Sequence, residues 1–122
     1  MTTGSLGRLR RTLRALARVH ALETPGGIAP DLYLTEYGWH ANSHRIREPL
    51  RSKYAIEGFR IAARQARVRQ LVWYQLVAPR PRRRRQWDTA LLDWKGRPRR
   101  TFRALRSWIR AAVRDGLVAP GP

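Results

Sequence analysis

Leu6, Leu9, Leu13 and Leu16 recur at three- and four-residue intervals, His20 continues the stripe and Ala17 widens it. Arg8, Arg10, Arg11, Arg14 and Arg18 fall mostly off it. This period predicts an amphipathic helix over about residues 5–22 with Ser5 as its N-cap, and the Thr-Pro-Gly-Gly of residues 24–27 as its stop. In the stretch from Asp31 to Trp39, Leu32 and Leu34 alternate with Tyr33 and Thr35, the pattern of a short strand ending in a carboxylate, a glycine and two aromatics. His40 to Glu48 is polar and aperiodic and reads as a loop. Pro49 suits the first position of a helix, and Leu50, Tyr54, Ile61 and Ala62 continue it on one side to about residue 66. From Arg67 to Val77 the apolar run is nearly unbroken, as in a strand buried on both faces. Strand, helix and strand together predict a right-handed βαβ unit with parallel strands.

Residues 78–86 combine Pro79 and Pro81 with Arg80 and the run Arg82, Arg83, Arg84 and Arg85, which excludes a regular element and predicts an exposed loop. An aromatic and apolar stretch from Trp87 to Trp94 follows, then a turn at residues 95–98. The last helix carries Phe102, Leu105, Trp108, Ile109, Ala112 and Val113, with Gly116 as its C-terminal stop. Residues 119–122, rich in proline and glycine, predict a disordered tail behind a single unit over residues 1–118.

Length and charge narrow this picture. A chain of 122 residues is one domain or part of one, well short of the roughly 250 residues of a closed β/α barrel. The formal net charge is +18, and all but Lys53 and Lys95 of the 26 basic residues are arginines. Guanidinium groups bind phosphates bidentately, so nonspecific polyanion binding is expected, although the arginines are spread over every predicted element instead of forming one face. The absence of cysteine removes disulfides and thiolate metal sites. His40 and His44 lie near Glu36, but four-residue spacing aligns two histidines only on a helix, so neither a metal nor another cofactor is expected. No stretch has the length of a membrane span and the N-terminus lacks an apolar leader core, which predicts a cytoplasmic chain as written.

Taken in order, Leu-Tyr-Leu-Thr-Glu-Tyr-Gly-Trp at residues 32–39, Val-Arg-Gln-Leu-Val-Trp-Tyr-Gln-Leu at 68–76, Trp-Asp-Thr-Ala-Leu-Leu-Asp at 87–93, Gly-Arg-Pro at 96–98 and Phe-Arg-Ala-Leu at 102–105 resemble the last part of a clan A retaining glycoside hydrolase. These are (β/α)8 TIM barrels that include cellulase-like and β-xylosidase-like enzymes. The resemblance implies an α/β fold in which α-β-α-β-α covers the last two strands of the barrel and their flanking helices. It places Glu36 at the nucleophile position closing the seventh strand, Trp39 at the adjoining platform, Trp73 on the eighth strand beneath the sugar, and Gln75 among the substrate contacts. The implied activity is hydrolysis of O-glycosidic bonds of a carbohydrate with retention. Such a reaction needs an ionised carboxylate and a protonated one about 5–5.5 Å apart, and aromatic faces on which the sugar can stack.

The sequence also departs from that pattern. In these enzymes the acid/base glutamate belongs to an Asn-Glu motif on the fourth strand, and nothing here corresponds to the first six strands. Glu48 and Glu57 fall on or beside the crossover helix and Asp88 and Asp93 in the final loop region, so none replaces it. Ala78 and the Arg82–Arg85 run stand where relatives often carry an acidic residue. The expectation is an incomplete C-terminal part of a barrel, inactive alone, which associates with itself or with the missing N-terminal part; full-length relatives could be secreted. Two other readings stand beside it. One is an arginine-rich nucleic-acid or polyanion module using Arg80, Arg82–Arg85 and Trp87, and the other is a truncated gene product without a function.

Overall fold

The computed structural model describes residues 5–41, 46–81 and 87–119. Its elements run α1 (Leu6–Arg18), β1 (Leu32–Tyr37), α2 (Glu48–Ala63), β2 (Val68–Trp73) and α3 (Arg100–Arg114). The two strands pair in parallel through the α2 crossover, so the described residues form an α/β arrangement with three helices and a two-stranded parallel sheet. The arginine run at 82–85, His44 and residues 120–122 of the expected tail lie outside the described residues. Among the described residues, no helix is long and apolar enough to cross a membrane.

The helix ends differ from the sequence expectation for physical reasons. Ser5 has helical backbone angles and makes no capping hydrogen bond through its side chain. The first helix stops four residues before Leu22 because His20 takes the left-handed conformation, φ 55°. His20 N–H then donates to Ala17 and Ala21 N–H to Leu16, the paired closure that ends many helices at a glycine. Here a histidine fills that place, its ring held by Glu23. At the end of α3 the same closure uses Gly116, φ 70°, as the sequence predicts. Glu48 opens α2 with Pro49 in its first turn, and Ala63 closes it three residues early.

β2 is shorter than the apolar run that encodes it. The last bond between the strands runs from Tyr74 N–H to the Tyr37 carbonyl, and beyond it β1 has ended. Beyond it Val77 pairs with Leu92, whose N–H donates to the Leu76 carbonyl and whose carbonyl accepts from the Ala78 N–H. Alternation divides the sheet into two faces. Leu32, Leu34 and Tyr37 with Leu71 and Trp73 are half-buried, and Tyr37 and Trp73 meet α2. Tyr33, 62% exposed, and Val72 and Tyr74 lie uncovered on the other side.

The fully buried apolar residues are mostly alanines, among them Ala55 and Ala62 of α2 and Ala112 of α3, with Leu6, Leu91 and Leu105. Small residues let α2 and α3 approach closely but bury little area each.

Candidate functional site

β1 ends where Gly38 lets two backbones meet. A Cβ there would overlap the Tyr74 carbonyl and press on the Thr89 side chain, so a larger residue would push the ends of β1 and β2 apart. The register of the pair is irregular between Leu34 and Tyr37. Thr35 and Glu36 consequently both face solvent, and Tyr37 turns back under the sheet.

Glu36 is the one carboxylate among the described residues held by neither an arginine nor a histidine. The other seven are all engaged: Glu23 by His20, Asp31 by Arg67 and Arg69, Glu48 by Arg51, Glu57 by Arg60, Asp88 by Arg99, Asp93 by Arg97 and Asp115 by Arg114. With 26 basic residues to 8 acidic ones, pairing is what a carboxylate meets by default. An exposed, unpaired one at the C-terminal end of a parallel strand is therefore informative, since that end carries the functional groups of β/α architectures.

The two tryptophans implied beside it are built into the packing against α2. Trp73 Nε1 donates to the Thr89 carbonyl at 2.8 Å, its ring meets Tyr37 edge-on at 5.5 Å, and the Arg51 guanidinium lies 5.3 Å from its centre. Trp39 Nε1 donates to the Tyr37 hydroxyl at 3.0 Å and its ring tilts against Tyr54 at 4.9 Å. That hydroxyl donates in turn to the Tyr54 carbonyl, and burial raises the Tyr37 pKa, with the Trp39 hydrogen bond opposing it. Trp73 thus packs on the covered face with Tyr37 while Glu36 is exposed, because the register shift between Leu34 and Tyr37 breaks the alternation that would otherwise put residue 36 on the side of Leu32 and Leu34. The aromatic on the open side of β2 is Tyr74, 44% exposed, which the sequence reading passed over although it directly follows Trp73. Gln75 Nε2 donates to the Tyr74 hydroxyl at 3.2 Å, while its side-chain oxygen is buried without a partner.

Behind this end of the sheet sits a polar lock that the sequence hides among 24 arginines. Arg51 is fully buried. Its Nε donates to the Trp39 carbonyl, Nη2 to the carbonyls of Thr89 and Ala90, and Nη1 to Glu48 at 2.6 Å. Glu48 also accepts from the backbone N–H and hydroxyl of Thr101 at the start of α3. Burial opposes ionisation of Glu48, but Arg51 and Thr101 outweigh it and lower its pKa. Asp88 is likewise lowered, its burial outweighed by Arg99 and the Ala90 N–H. The lock ties the β1 exit, the 88–90 loop and the first turns of α2 and α3 into one frame.

His40 meets the ring of Trp87 edge-on at 5.2 Å, and Trp87 is 65% exposed. Among the described residues no group of three metal-ligating side chains occurs. Comparison of the chain with protein-family models, curated proteins and solved structures finds no match.

Proposed function

We propose that this chain forms the last part of a retaining glycoside hydrolase barrel, from the sixth helix through the eighth, with Glu36 at the position of the nucleophile. The observation that carries the reading is the placement of Glu36: an exposed carboxylate, unpaired among the described residues, at the C-terminal end of a parallel βαβ unit. In the reaction, its carboxylate attacks the anomeric carbon as the bond to the leaving oxygen breaks. A second carboxylic acid delivers a proton to that oxygen, and water then releases the sugar. Of the seven other acidic residues, six are held by arginines and Glu23 by the His20 ring, so in this reading the acid comes from elements outside this chain.

The uncovered sheet face supports the same reading. Parallel sheets occur almost only with both faces covered, and Tyr33, Val72 and Tyr74 are the apolar side chains that neighbouring strands would cover or a sugar would meet. Tyr74 takes the stacking role in this proposal, and Trp39 and Trp73 hold the framework that aims it. Gln75 fixes the Tyr74 hydroxyl.

The experiment is hydrolysis of a panel of chromogenic aryl glycosides by the chain and by Glu36→Gln. Only an activated phenolate, which departs without protonation, can leave without the missing acid. The reading therefore expects slow release above buffer from activated aryl glycosides that disappears in Glu36→Gln, and none from unactivated ones. Equal rates for the two proteins on every glycoside would refute a catalytic role for Glu36 in this chain.

A further inference from the structure

At the opposite end of the sheet, α1 and the segments entering β1 and β2 enclose a groove of about 700 Å³. Its walls are Arg11, Arg14 and Arg18 from α1 and Arg67 from the turn into β2; its floor is made of small residues such as Ala17, Ala29 and Ala66. No carboxylate lines it. Arg11, Arg14 and Arg18 form no ion pair among the described residues, whereas Arg67 is fixed by the Ala29 carbonyl and by Asp31 at 3.2 Å. Glu23 approaches the rim beside Gly27 and is engaged by His20.

Residues 11, 14 and 18 share one helical face, so the three arginine side chains leave α1 along a row about 10 Å long. Gathering four like charges around a concavity is unfavourable until an anion enters, and each guanidinium presents paired donors suited to phosphate oxygens. A row of that length matches several linked phosphates better than a single one. Among the lining residues there is no aromatic side chain, so a base would find nothing to stack on. We propose that this groove is a binding site for a chain of linked phosphate groups, recognised through Arg11, Arg14, Arg18 and Arg67. The site lies at the N-terminal ends of the strands, away from Glu36, and stands independently of the glycosidase reading.

The test must separate a local site from the attraction of a +18 chain for any anion. Inorganic tripolyphosphate is titrated calorimetrically into the full chain at about 0.1 M NaCl, where long-range attraction is screened beyond about 10 Å. The groove pair R14E/R18E is compared with R106E/R110E, which makes the same charge change at the same spacing on exposed positions of α3. The neutral pair R14Q/R18Q and circular dichroism of each variant guard against misfolding. The proposal expects saturable one-to-one binding, weakened at least about tenfold by R14E/R18E and clearly by R14Q/R18Q, but no more than about threefold by the α3 pair. Equal weakening by the two glutamate pairs, or no saturable binding by the unaltered chain, overturns it. A labelled oligothymidylate of about 20 nucleotides separates the two sources of the ligand. If its binding follows the groove pair, the phosphates belong to a nucleic-acid backbone; if it responds equally to both pairs while tripolyphosphate does not, the site takes free oligophosphates.

Discussion

Replacing Arg51 by methionine removes the charge from the centre of the polar lock while keeping most of the side-chain length. The three carbonyls it serves do not lose equally. Thr89 keeps the donor from Trp73 and Ala90 keeps one from Arg99, but the Trp39 carbonyl loses its one donor among the described residues. An orphaned buried carbonyl costs about 1–3 kcal/mol. Stripping the partner from a fully buried ion costs about 3–5 kcal/mol, yet Glu48 is 29% exposed and keeps both Thr101 bonds, so only about 1 kcal/mol of that applies. The total is about 3 kcal/mol, a large share of the roughly 5–15 kcal/mol that holds a typical domain together. With a urea m-value of roughly 2 kcal/mol/M, the unfolding midpoint falls by about 1.5 M, read by tryptophan fluorescence. In the double variant with Glu48→Gln the loss is smaller than the sum of the single losses by roughly 0.5–2 kcal/mol. A midpoint for Arg51→Met within about 0.3 M of the unaltered chain would show that the lock is not what holds the β1 exit to α2 and α3.

Two further outcomes follow from the same packing. Gly58 sits inside α2 where a Cβ would overlap the ring and hydroxyl of Tyr37, so Gly58→Ala destabilises by about 1–3 kcal/mol even though alanine favours a helix by about 1 kcal/mol; chemical denaturation reads the sign directly. Glu48 and Asp88 have folded pKa values below their ordinary 4.5 and 3.8. Their ion pairs therefore contribute stability that is complete above about pH 5 and is lost as pH falls through 4.5 toward the lower folded values. Urea midpoints at constant salt decline over that interval, and less steeply in Glu48→Gln.

The order of elements was legible because each apolar stripe has its own period: four leucines mark α1, alternation marks β1, and Phe102, Leu105 and Ala112 mark α3. The ends were less legible. Nothing in the residue type of His20 announces a left-handed cap, and the length of β2 depends on where its partner stops, which its own apolar run does not encode. Arg51 was indistinguishable from its surface counterparts, since burial of a guanidinium depends on carbonyls contributed from residues 39, 89 and 90. Gly58 had no visible reason either, because the phenol that occupies its space lies 21 positions earlier in the chain. For the candidate site, the residues at the end of β1 marked the carboxylate correctly as strand-borne. The facing of the neighbouring aromatics was not legible: Trp73 packs toward the helix beside Tyr37, and the more exposed ring at this end of β2 is that of Tyr74.

Covalent capture at Glu36 tests the central claim most directly. A 2-deoxy-2-fluoro glycoside with a dinitrophenolate leaving group departs without protonation, bypassing the missing acid, and the fluorine slows hydrolysis of the glycosyl intermediate. After incubation with a panel of such sugars, intact-mass and peptide mass spectrometry should find a single glycosyl adduct on Glu36 that is absent from Glu36→Gln. No adduct from any sugar, or adducts spread over other carboxylates and unchanged by Glu36→Gln, would contradict the assignment of Glu36 as the nucleophile.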